Sequence, residues 1–174
     1  MKLYNTLSRT IENFTTDDNV VKMYVCGITP YSPSHIGHAM SAVVFDTLHR
    51  YLQYVGYKVR LIQNFTDIDD KMIEAAFAKG ITTDELADQN INDYFAGLSA
   101  LNVLKAESYP KATEEIPRII AMIDFLLESD HAYVEQGDVY YRVGKFAGYG
   151  KLSRRTLDSM RAGARVEVDP KKQN

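Results

Sequence analysis

The chain has 174 residues, 45% of them hydrophobic and 25% charged, which suits one good-sized domain, or one and a half small ones, with a real core. A net charge of −3 gives no overall basic excess to announce a nucleic-acid partner, although a local patch can still bind RNA. One cysteine cannot form an internal disulfide, and no apolar run approaches the ~20 residues a membrane span needs, so the expected setting is cytoplasmic with no membrane partner.

The first strand expected is Val20 to Cys26, "VVKMYVC", a β-rich apolar run of buried-strand length. A Gly-Pro-Ser loop follows, "GITPYSPS". A helix should begin near His35 or Ile36 and present Ala39, Val43, Val44, Leu48, Tyr51, Leu52 and Val55 as its apolar face, with Gly56 ending it. "YKVRLIQN" (57–64) reads as a second strand. A strand–loop–helix–strand order implies parallel strands and a right-handed crossover. "TDIDDKMIEAAFAKG" predicts a capped helix closed by Gly80. "TTDELADQNINDYFAGLSAL" predicts another, capped by Thr82 or Thr83. A further helix should carry Ile116, Ile119, Ile120, Ile123, Leu126 and Leu127 on one face. "HAYVEQGDVYYRV" signals a hairpin around Gln136-Gly137, and the end of the chain is glycine-rich, basic and polar.

The chemistry-bearing residues cluster. In open α/β sheets, ligands sit outside the carboxyl ends of the strands. "CGITPYSPSHIGHA" follows the first strand and "NFTDIDD" follows the second, so both should line one crevice. The helix start would aim its N–H groups and positive dipole end there, which suits a phosphate. Taken singly, each feature has a plainer reading. A cysteine at a strand end is ordinarily a small buried hydrophobe, His-x-x-His near a turn is often solvent-facing or capping, and "TDIDD" serves as a helix cap. His49 and His131 carry no supporting pattern and read as structural. Convergence of three features on one edge is what argues for a site.

The sequence resembles the cysteinyl-tRNA synthetases of class I. "HIGH" after a strand marks the class. "MYVCG", "HIGHA", "FDTLHRYLQYVGYKV", "QNFTDIDDKMI", "YPKATEEI", "AYVEQGDVYYRV" and "YGKLSRRTLDSMRAGARVEV" follow the family in order over nearly the whole chain. The resemblance implies a Rossmann-like parallel sheet of the class I type, as the first half of a nucleotide-binding catalytic domain over 1–112. The start of a small mixed α/β connective insertion, with a polar tail, is expected over 113–174. It implies ATP-dependent activation of cysteine and transfer to tRNA(Cys). His35 and His38 match the catalytic, phosphate-handling histidines, and Thr29 and Gly37 join them around ATP. Gly27, Thr29, Asn64, Thr66 and Asp67 match positions around the substrate cysteine, and Cys26 matches the first of four Zn2+ ligands. The reaction needs no enzyme nucleophile, because the amino acid's carboxylate attacks the α-phosphorus. Catalysis is then positioning and charge stabilisation. Zinc would separate cysteine from serine by binding the softer sulfur.

The family's other zinc ligands (a second Cys, a His and a Glu), its "KMSKS" loop and its anticodon-binding helices are absent from these residues. The resemblance therefore implies a fragment or a shortened relative, inactive or nearly so alone, whose missing half is supplied in cis or in trans. Pro30 and Ser32 stand where many relatives have Val and Asp, and Met40 where many have Arg. "CGITPY" is shared with the ligase that joins cysteine to glucosaminyl-inositol in mycothiol synthesis, whereas "AGARVEV" favours the tRNA enzyme. A non-catalytic module binding ATP or an amino acid is the reading from outside the enzymes.

Overall fold

The computed structural model describes residues 1–155; "AGARVEV" and the polar tail lie outside the described residues. The chain forms two compact units, Thr15–Ile116 and one that combines Met1–Phe14 with Pro117 onward. The N-terminal stretch therefore groups with the later unit, a pairing that a division at residue 112 does not express.

The Thr15–Ile116 unit is built on parallel strands. A first hairpin, β1 (Lys2–Asn5) and β2 (Thr10–Asn13), belongs to the other unit, so the sheet here starts with β3 (Val20–Ile28) beside β4 (Lys58–Phe65). Their pairing runs in register from Val20↔Lys58 to Val25↔Gln63, then slips by a bulge before Ile28↔Phe65. The crossover is α1 (Ile36–Tyr54), followed after β4 by α2 (Asp70–Lys79) and α3 (Thr83–Ala100). A third extended segment lies along β4. Glu107 N–H donates to the Leu61 carbonyl, Phe65 N–H to Pro110 and Ala112 N–H to Phe65, with parallel bridges Ile62↔Ser108 and Phe65↔Lys111.

Local signals set the helix limits. His35 caps α1, and Gly56 at φ +97° ends it. Gly56 N–H donates to Gln53 and Tyr57 N–H to Leu52, the paired bonds of a left-handed C-terminal cap. Asp69 caps α2 through Met72 N–H at 2.8 Å, and Gly80 closes it at φ +67°. Thr82 and Glu85 form a reciprocal capping box on α3.

The core lies on one side of the sheet. Ile28, Phe65, Met72, Leu86, Ile91, Tyr94 and Leu98 form it, with Phe95 and Tyr109 packed against it. The ring of Phe65 meets Tyr94 and Phe95 edge-on at 5.9 and 5.6 Å and stacks on Tyr109 at 5.6 Å. The expected apolar face of α1 is corrected here. Its buried line is Ala42, His49 and Leu52, whereas Val43, Val44, Tyr51 and Val55 are exposed. Ala42 of this line lines a small cavity with Leu61 and Leu98, and helical spacing alone does not show which of two apolar stripes will be covered.

In the other unit, β1 and β2 are joined by a turn with Arg9 at φ +61°. Arg9 donates to the Ser153 carbonyl at 3.1 Å, and Arg154 returns a bond to Ser8 at 3.3 Å. Helix α4 (Ile116–Glu128) is followed by β5 (Ala132–Glu135) and β6 (Asp138–Tyr141), an antiparallel hairpin turning at Gln136 and Gly137, both at positive φ. The expected apolar face of α4 is present in sequence but not buried. None of its residues is buried among the described residues, and Ile116, Ile119 and Ile120 are exposed.

Candidate functional site

The carboxyl ends of β3 and β4 meet through Asn64. Its Oδ1 accepts from Gly27 N–H at 2.9 Å and from the Tyr24 hydroxyl at 2.8 Å, and its Nδ2 donates to Thr66 Oγ1 at 3.2 Å. Thr66 N–H in turn donates to the Ile28 carbonyl at 3.0 Å. Gly27 is required by this closeness, since a Cβ there would fall 1.5 Å from the Asn64 carbonyl oxygen. A bulge that brings a backbone this near leaves room for no side chain. Cys26, just before it, is exposed, so its thiol is not the buried hydrophobe that its strand-end position first suggests.

At the start of α1, the imidazoles of His35 and His38 stack with centroids 3.8 Å apart and planes 18° from parallel. His35 Nδ1 accepts from Gly37 N–H at 3.1 Å, and His38 Nδ1 accepts from His35 N–H at 3.4 Å. With both Nδ1 atoms used as acceptors, each neutral ring carries its proton on Nε2. A Cβ on Gly37 would lie 2.9 Å from His35 Cε1, so glycine allows the ring to fold over the helix end. Burial first, then the charge of His35, holds His38 below the ordinary imidazole value. The result is a helix N-terminus crowned by two imidazole donors, with Tyr94 edge-on to His38 at 6.5 Å.

Thr29 begins the connecting loop, and its carbonyl accepts from Tyr31 N–H at 2.9 Å. Asp67 does something different from its neighbours. It is buried, and its two oxygens accept from Thr113 N–H at 3.0 Å and Thr113 Oγ1 at 2.6 Å. Its carboxylate is spent on holding the segment beside β4. His49 is 6% exposed, with neither ring nitrogen hydrogen-bonded among the described residues, and His131 accepts or donates locally at Ser129, in keeping with structural roles.

No group of three His, Cys, Asp or Glu side chains able to hold a metal occurs among the described residues, so His35 and His38 do not complete a site with Cys26. One thiolate does not make a tetrahedral zinc centre. No helix among the described residues is long and apolar enough to cross a membrane.

Sequence reasoning missed Tyr24, Asn90, Asp93 and Tyr94. Asn90 carried a readable signal, as a polar residue inside the α3 stripe Leu86, Ala87, Ile91, Tyr94 and Leu98.

The family model described as the catalytic domain of class I (C) tRNA synthetases matches residues 12–174. The chain belongs to this family. It is 55% identical over 174 residues to a cysteine–tRNA ligase of Dehalococcoides mccartyi, covering 99% of this chain and 38% of that protein. It is 51% identical over 175 residues to the cysteine–tRNA ligase of Caldicellulosiruptor saccharolyticus, again spanning 38% of its length. The chain thus spans well under half the length of these relatives. In fold it resembles Mycobacterium tuberculosis methionyl-tRNA synthetase in complex with methionyl-adenylate, with a TM-score of 0.58 and 22% identity over 65% of this chain and 23% of that one. That likeness supports the class I α/β fold with its parallel sheet.

Proposed function

We propose that this chain carries the first half of the ATP-binding catalytic domain of a cytoplasmic cysteine–tRNA ligase, with the start of a connective insertion after about residue 112. The observation that carries the reading is the stacked His35–His38 pair. Both Nδ1 atoms are occupied by backbone N–H groups, which leaves two Nε2–H donors at a helix N-terminus. Such donors and the dipole end suit the phosphates of ATP, with Thr29 and Gly37 alongside. Cysteine would lie at the strand ends, near Gly27, Asn64 and Thr66. Its carboxylate attacks the α-phosphorus, pyrophosphate leaves, and the adenylate then passes its acyl group to tRNA(Cys). His35 and His38 stabilise charge as it develops on the phosphates. Cys26 supplies one zinc ligand, and its partners come from the rest of such a protein, in cis or in trans.

The test uses the full gene product. ATP–pyrophosphate exchange with cysteine and not with serine supports activation, and adding tRNA or the amino-sugar separates the two ligases. His38→Ala should weaken nucleotide affinity and lower turnover by more. Unchanged affinity in calorimetry would remove the phosphate assignment.

A further inference from the structure

We propose that Asn90 and Asp93 on α3 are positioning residues that set the His35–His38 pair for a nucleoside triphosphate; the ligand rests on the function proposed above, whereas the positioning does not. The loop from Thr29 to Ser34 contains two prolines and must deliver His35 in an extended conformation, φ −133° and ψ 172°, for it to cap α1. Helix α3 grips this loop at both ends. Asn90, 5% exposed, donates from Nδ2 to the Pro30 carbonyl at 2.7 Å, and Pro30 is itself fully buried. Asp93, one turn on, accepts Ser34 N–H at 2.9 Å. Residues three apart on a helix lie on one face, so a single rigid element fixes both ends of the loop.

The consequence passes along the backbone. Ser34 immediately precedes His35, whose own N–H is held by His38 Nδ1 and whose ring is folded over Gly37. Tyr94, next to Asp93, is 3% exposed and meets His38 edge-on, closing the same side. A negative charge opposes a bound phosphate, so the part of Asp93 that serves the pair is the acceptor oxygen that takes Ser34 N–H.

Asn at 93 keeps an acceptor oxygen, whereas Ala removes it and is a better helix former at this exposed position, so both variants should fold. In the full-length protein, nitrogen-detected NMR of the imidazoles reads tautomer and pH midpoint without any nucleotide. Calorimetry with Mg-free ATP reads affinity. Asp93→Ala should mix the Nδ1 and Nε2 forms of His35 and His38 and weaken ATP by roughly tenfold, the scale of one hydrogen bond to a charged group. Asp93→Asn should preserve the tautomers and most of the affinity. An unchanged imidazole pattern in Asp93→Ala, or equal damage from Asp93→Asn, overturns the positioning role and leaves the proposed function standing. An altered pattern in a protein whose wild type binds no ATP upholds the positioning and overturns the proposed ligand.

Discussion

The Nδ1 atom of His38 accepts the backbone N–H of His35, while the two rings lie face to face 3.8 Å apart. The helix cap and the candidate phosphate donors are therefore the same two rings in one tautomer, with each Nδ1 accepting a backbone N–H and each Nε2 left to donate. Protonating His38 would both place charge against its stacked neighbour and remove the acceptor. Burial, with His35 second, holds the His38 value below that of an unfolded chain, so the unfolded state binds the proton first. Stability from this group is present above the ordinary imidazole value, about 6.5, and is lost as pH falls below it. His49 shifts in the same direction, mainly through burial. Urea unfolding of wild type and His38→Gln between pH 5 and 8 should show a shallower acid loss in the variant. Identical pH dependence would mean that the cap does not need a neutral His38.

Gly27→Ala should destabilise the Thr15–Ile116 unit severely. The new methyl would meet the Asn64 carbonyl, a backbone atom that cannot swing aside. Overpacking of this kind costs about 3 kcal/mol or more, or prevents folding. A midpoint in urea within about 0.5 kcal/mol of wild type would show that the bulge relaxes freely.

Asp67→Ala should cost about 2 kcal/mol, because it strips partners from the Thr113 amide and hydroxyl at a buried site. Asp67→Asn should be milder, since an amide can still accept the Thr113 N–H. Denaturation of both variants decides this. If Asp67→Ala is as stable as wild type, and only cysteine binding suffers, Asp67 contacts the substrate instead of Thr113.

Zinc should bind the 174-residue chain poorly, and the chain alone should show little cysteine-dependent ATP–pyrophosphate exchange, with both restored when the remainder of such a protein is added. Cys26 is its only thiol, and no three-ligand group surrounds it among the described residues. Metal content after dialysis and exchange with cysteine against serine give the answer. Stoichiometric zinc lost on Cys26→Ala would contradict this.

What could be read from the sequence was local. The helix starts near His35 or Ile36, within "TDIDD" and at Thr82 or Thr83, and the stops at Gly56 and Gly80, rest on neighbours within about one turn; the structure keeps them and resolves the caps as His35, Asp69 and Thr82. The parallel pairing of β3 and β4 followed from the helix between them, because a tight turn cannot join parallel strands. The Gln136-Gly137 turn followed from two residues that tolerate positive φ. Tertiary structure decided the remainder. It selected Ala42, His49 and Leu52 over Val43, Val44 and Tyr51, since an apolar stripe is buried only where another element meets it. It turned Asp67 toward Thr113, 46 positions away, and it set Asn90 and Asp93 against a loop about 60 positions earlier. A hydrogen bond between residues so far apart in sequence leaves no periodic trace in the chain, because its geometry exists only once the sheet and α3 have packed.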